Sequence, residues 1–235
     1  MKKSTLLFFA LLCMNSASIM AQSSSRNDGG STSSTTSSPS GATYTLSDGS
    51  TSTVLSNQTL TCSTSDYNVV QVTKGTLGLT NCTIQKTGGD TSDSDGSSFY
   101  GINSAVYVNG SNAIINMAGG TITTSAIGAN AGFAYGSGIL NISNVTITNT
   151  ANLSRGIHAT GGGTINATNL TITTSGSNSS VCATDRGGGT VTINEGSYVT
   201  TGTDCAILYS TGTITATDAT GSSSQGEIGV IEGDN

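Results

Sequence analysis

The 235-residue chain has no tryptophan, one proline and one histidine. Charged residues make up only 9% of it and aromatics 5%. The near-absence of proline leaves almost every backbone N–H available for a strand ladder. Basic residues number 7 against 13 acidic ones, for a formal net charge of -6. Nucleic acid and anionic membrane surfaces both need a basic patch, so neither is an expected partner. No apolar run reaches the ~20 residues of a membrane span, and membrane insertion is not expected. What remains is a Gly-, Ser- and Thr-rich chain. Such a composition suits disorder unless apolar residues recur with a period, and here they do.

The first residues have a separate logic. Met1-Lys2-Lys3 precedes an apolar run from Leu6 to Leu12, then Ser16-Ala17-Ser18-Ile19-Met20-Ala21. A basic start, a short apolar core and a small-residue end form a secretory leader over 1–21. Cleavage falls after Ala21, with Ser18 as the alternative end. Cys13 follows Leu12, where lipidation would want a small residue, so it reads as part of the apolar core. The product is expected outside the cell or on its surface. Residues 22–42 lack an apolar period and read as a flexible Ser/Thr/Gly linker.

From Thr43 to Asn235 three apolar stripes repeat. The first passes through Val70-Gln71-Val72, Val106-Tyr107-Val108, Phe133-Ala134-Tyr135, Ile157-His158-Ala159, Val181-Cys182-Ala183 and Ile207-Leu208-Tyr209. The second runs Leu77/Leu79, Ile115/Met117, Leu140/Ile142, Ile165/Ala167, Val191/Ile193 and Ile214/Ala216. Ile84, Ile122, Ile147, Ile172 and Tyr198 form the third, at steps of 38, 25, 25 and 26 residues. Alternation of period two marks strands, and a fixed repeat near 25 residues marks a solenoid. Three strands per turn, each stacked on its counterpart, make an all-β parallel β-helix of about six to seven coils. Asn81, Gly119, Asn144, Asn169 and Glu195 recur between the second and third strands. Asn and Gly are the residues that tolerate a left-handed corner. The final Ile231-Glu232-Gly233-Asp234-Asn235 echoes Val108-Asn109-Gly110-Ser111-Asn112. A coil opens there as the sequence stops, which reads as a truncated solenoid or one that associates end to end.

With these columns the chain resembles the right-handed parallel β-helix superfold of pectate lyases, polygalacturonases and bacterial surface adhesins. The resemblance implies the right-handed winding. It implies no single activity, because the superfold hosts many. The His-bearing and paired-Asp motifs of polygalacturonases are not visible, and no two of Lys74, Lys86, Arg155 and Arg186 share a column with an acidic cluster. A non-catalytic, adhesin-like role is therefore expected, with a polysaccharide lyase or hydrolase as the rival.

The candidate ligand face is Thr121, Thr123, Thr146, Thr148, Thr171 and Thr173, outward on the third strand. Paired hydroxyls at coil spacing suit a glycan chain or a cell-surface molecule. They also resemble the threonine grids of ice-binding solenoids. The structural alternative is that Thr, being β-branched, simply suits exposed strands. Asn116, Asn141 and Asn166 form a second outward column. His158 lies near Arg155, Asp185 and Arg186, without a placed nucleophile. The insertion Thr87–Asn103 carries Asp90, Asp93, Asp95 and Gly96; three carboxylates could hold Ca²⁺, yet Thr91 occupies the leading ligand position and no closing Glu follows. No cofactor is expected. Of Cys62, Cys82, Cys182 and Cys205, only Cys182 and Cys205 come near enough after alignment to bridge.

Overall fold

The computed structural model describes residues 38–233 and two short strands, Leu12–Met14 and Ala17–Met20. The chain is a parallel β-solenoid. Eight strands stack in one sheet: Gly41–Leu46, Tyr67–Val72, Val106–Asn109, Gly132–Tyr135, Ile157–Ala159, Cys182–Thr184, Leu208–Ser210 and Gly229–Ile231. That gives about eight coils, more than the six to seven expected, because Gly41–Leu46 and Gly229–Ile231 each open a further turn. At ~4.8 Å per coil the stack is roughly 35 Å long.

The second and third strands of each turn belong to one sheet folded across a corner. In four turns they run as one element: Gly75–Lys86, Ala113–Thr124, Gly163–Thr174 and Gly189–Thr200. The corner falls on the predicted column. Asn81, Gly119, Asn144, Asn169 and Glu195 all have φ between 50° and 70°. Asn57 and Asp218 extend it to the outer coils. The side chains reinforce the turn, since Asn169 Nδ2 donates to Asn144 Oδ1 at 2.8 Å.

Inside, like lies on like. Ile84, Ile122, Ile147 and Ile172 occupy consecutive ladder positions, followed by Tyr198, and none has exposed surface. The second stripe holds its expected register throughout. The first does not. Gly132 and Ala134, not Phe133 and Tyr135, pair with Val106 and Val108. Likewise Cys182, not Val181, pairs with Ile157, while Leu208 pairs with Cys182 as aligned, so both later runs are out of step with Ile157. The expected runs at Phe133, Val181 and Ile207 are each displaced by one residue. In a strand that slip exchanges the inward and outward faces. Gly132 faces inward, where a Cβ would meet Leu140 at 2.9 Å.

The four described cysteines are free. Cys205 stands three positions before Leu208, the ladder partner of Cys182, so no bridge forms. Its sulfur has another role. Ser154 Oγ accepts from Ala129 N, Ser179 Oγ from Ser154 N, and Cys205 Sγ from Ser179 N, at 3.0–3.1 Å. Each of the three also donates to a carbonyl on the preceding coil.

The leader read over 1–21 lies outside the described residues except for the two short strands. Those pair antiparallel with the strands Thr213–Thr217 and Ala219–Ser223 of the last coils. The linker read over 22–42 also lies outside, apart from its last five residues. The first solenoid strand begins at Gly41, slightly before the expected Thr43.

Truncating the internal column should be costly. Ile147→Ala is expected to lower the unfolding free energy by ~2–5 kcal/mol, through lost burial plus a cavity that a rigid stack fills poorly. Asn144→Ala should cost ~1–2 kcal/mol at the left-handed corner, and Asn144→Gly less. Urea unfolding of the purified variants checks both. A neutral Ile147→Ala would remove the stacked interior as the source of stability.

Candidate functional site

The exposed face of the folded sheet carries the predicted hydroxyls in register. Thr121, Thr146 and Thr171 are consecutive ladder partners, and so are Thr123, Thr148 and Thr173. Ladder pairing fixes neighbouring coils ~4.8 Å apart. The first column continues beyond the expected coils, through Thr83 and Thr59 on one side and Ser197 and Thr220 on the other. The second is interrupted by Gln85 and Val199. Thr121, Thr146 and Thr171 are exposed to solvent.

Beside this face runs the asparagine column. Asn141 Nδ2 donates to Asn116 Oδ1, and Asn166 Nδ2 to Asn141 Oδ1, each at 2.8 Å. A shallow groove of about 250 Å³ follows the ladder, floored by Ala118, Ser143 and Thr168. Asn141 spends one donor and one acceptor on its neighbours, Asn116 one acceptor and Asn166 one donor, and each amide has further capacity for a ligand.

The insertion does something the sequence did not reveal. Its helix α1, Ser94–Tyr100, lies over the outward face of the first sheet. Thr160 Oγ1 donates to Phe99 O at 2.7 Å, and Arg155 Nη1 to Ser98 Oγ at 3.0 Å. Gly101 ends the helix at φ 72°, where a Cβ would strike the Phe133 ring. Beneath it Tyr107, Phe133 and His158 form an outward column with no exposed surface. His158 packs edge-on to Phe133, ring centroids 4.9 Å apart. Neither of its nitrogens has a hydrogen-bond partner. The histidine is thus part of a small second core. Burial, and then the Arg155 charge, hold its pKa well below the usual imidazole range. The ring is sealed from solvent beneath the helix.

Two of the three insertion carboxylates hold backbone N–H groups, and Asp95 lies in the first turn of the helix. Asp93 caps α1 by accepting from Gly96 N at 2.9 Å, and Asp90 accepts from Ile127 N at 2.8 Å. Among the described residues no group of three His, Cys, Asp or Glu side chains is placed to hold a metal. Nor is any helix long and apolar enough to cross a membrane.

A charged groove emerges where the insertion meets the last coils. Arg155, Asp204, Tyr209, Glu227 and Glu232 line a cavity of about 340 Å³. Asp185, Arg186 and Phe99 line an adjoining one of about 220 Å³ that shares Tyr209 and Glu232. The expectation concerned a shared column; these groups instead come together from turns and strand ends of several coils. Arg155 Nη2 lies 3.8 Å from Asp185 Oδ2. Arg186 stacks 4.0 Å from the Phe99 ring centroid, and Tyr209 donates to Glu232 at 2.6 Å. Burial raises the Asp185 carboxyl, with Arg155 pulling it back. Burial also raises the Tyr209 phenol, keeping it protonated as a donor. The column linking His158, Ala183 and Tyr209 was the signal that could have placed these groups together.

The fold and its surfaces define the class, a parallel β-solenoid with a strapped first sheet and a polar second one. No protein-family model, no curated protein and no solved structure matches the chain.

A buried neutral histidine makes stability fall with acid. Its folded pKa lies below its unfolded value, so the unfolded chain binds more protons below about pH 6.5. Between pH 7.5 and 5.5 the unfolding free energy is expected to drop by about 1.4 kcal/mol from this group. Asp185, with a raised pKa, has the opposite sign: its contribution grows as pH falls through the carboxylate range. Replacing His158→Phe should remove most of the loss above pH 5.5, read by denaturant unfolding at both pH values. An unchanged pH dependence in the variant would show that His158 is not the group responsible.

Proposed function

We propose that the protein is an exported, non-catalytic solenoid that binds glycans or cell-surface carbohydrate through its polar sheet. The observation that carries this reading is the register of Thr121, Thr146 and Thr171 beside the amide ladder of Asn116, Asn141 and Asn166. A sugar polymer offers hydroxyls along an extended axis, and the sheet offers hydroxyls and amides along its own. Each such contact contributes little, about 0.5–1.5 kcal/mol. A rigid stack loses little conformational entropy on binding, so weak contacts add usefully. In this role the protein serves as an adhesin-like spacer at a cell surface.

Glycan-array binding tests it. The wild type is expected to bind at least one polymer class. Thr146→Lys with Thr171→Lys should weaken that binding about ten-fold, by placing long ammonium groups across the hydroxyl columns. Binding that survives both changes would remove this face as the site.

A second reading is favoured by the charged groove. Asp185, Asp204, Glu227 and Glu232 with Arg155 and Tyr209 are the residue types that polysaccharide cleavage uses. Turnover of a uronate polymer or neutral glycan, abolished by Asp204→Asn or Glu227→Gln, would establish the enzyme. No turnover together with array binding leaves the binding reading in place.

A further inference from the structure

One inward column breaks its own rule. It runs Cys62, Lys86, Thr124, Asn149, Thr174 and Thr200 along successive coils. After Lys86 every member is short and neutral. Lys86 has no exposed surface. Its Nζ donates to the carbonyl of Thr64 and lies 3.9 Å from Cys62 Sγ. An amine taken out of water costs several kcal/mol unless it is well paired, and threonine serves the same position elsewhere without that cost. Packing alone therefore gives no reason for a lysine here.

The cysteine beneath it is also distinct. Cys82 and Cys182 have no exposed surface and Cys205 has 1%, whereas Cys62 keeps 8%. Cys62 lines a cavity of about 390 Å³ with Thr43, Thr61, Ser63, Thr64 and Tyr67. A small ligand can thus approach the sulfur from one side while the amine stands on the other.

We propose that Cys62 and Lys86 form a reactive thiol site that takes up a small organic disulfide by exchange. Lys86 Nζ donates to Cys62 Sγ, which favours the thiolate once the S–H proton has passed to solvent water, and the thiolate attacks one sulfur of the disulfide. The S–S bond of the ligand breaks as a Cys62 S–S bond forms. The departing thiolate takes up a proton from solvent water and leaves as a free thiol. One ligand sulfur passes to the thiol level as the Cys62 sulfur passes to the disulfide level, so the number of S–S bonds is conserved and no further reagent is needed. The local field agrees with an ammonium paired to the sulfur. Burial pulls the Lys86 ammonium below the usual lysine range, while Cys62, Asp66 and Asp90 pull it back up. The cavity is polar and its walls hold threonine and serine hydroxyls, which suits a short, polar disulfide such as cystine.

Native protein treated with an aromatic disulfide reports the rate through its released thiolate, and peptide mass mapping locates the modified cysteine. The expected result is one fast thiol, Cys62, reacting about ten-fold or more ahead of Cys82, Cys182 and Cys205. Cystine should add one cysteinyl group at the same residue. Lys86→Thr restores the residue type of the column and should slow the fast phase about ten-fold, with circular dichroism and the unfolding midpoint showing that the solenoid is intact. Should that variant not fold, Lys86→Met provides the same arm with a side chain of similar length. Cys62→Ser should abolish the fast phase. The site would be overturned by a fast phase that maps to another cysteine, by no fast phase at all, or by a rate unchanged in the folded Lys86 variant.

Discussion

Everything in this protein depends on parallel ladders that hold each coil in fixed register over the one before. A single coil has too few apolar side chains to offset the entropy of ordering some 25 residues. Stacking changes that balance, because each isoleucine is covered above and below by another. The column from Ile84 to Tyr198 is the clearest case. Once register is fixed inside, it is fixed outside as well. The threonine columns and the asparagine ladder are therefore a consequence of core packing, and need no separate cause to be straight.

The same constraint explains which features were legible in the sequence. The second and third stripes were readable because one side of each strand is dry and the other wet, so apolar and polar residues alternate. The left-handed corner at Asn81, Asn144 and Asn169 supplied a fixed reference between them. The first strand lost that contrast. Its outward residues Tyr107, Phe133 and His158 are covered by the insertion, so both faces are apolar. Glycine and alanine at Gly132 and Ala134 then left Phe133 as the stronger apolar signal, although it faces away from the interior. The reading slipped by one residue for that reason.

The candidate sites divide along the same line. The hydroxyl face lies within regular repeats, and its six threonines could be named from spacing alone. The charged groove could not. Asp185 and Arg186 sit in a turn, Glu227 and Glu232 on a last coil with a weak apolar pattern, and Arg155 reaches them across intervening coils. The Cys62–Lys86 pair was visible as an alignment, since Cys62 and Lys86 share a position. Only the burial of the lysine turned that alignment into a chemical question.

The insertion also has a mechanical meaning. A solenoid in which each coil touches only its neighbours unravels from its ends one rung at a time. Here α1 joins distant rungs: Ser98 meets Arg155, Phe99 meets Thr160 and Arg186, and Tyr100 meets Tyr135. The rungs beneath this splint can open only by releasing it. The rungs beneath it are thus expected to open as one cooperative block, and a pulling force applied along the axis would meet added resistance there.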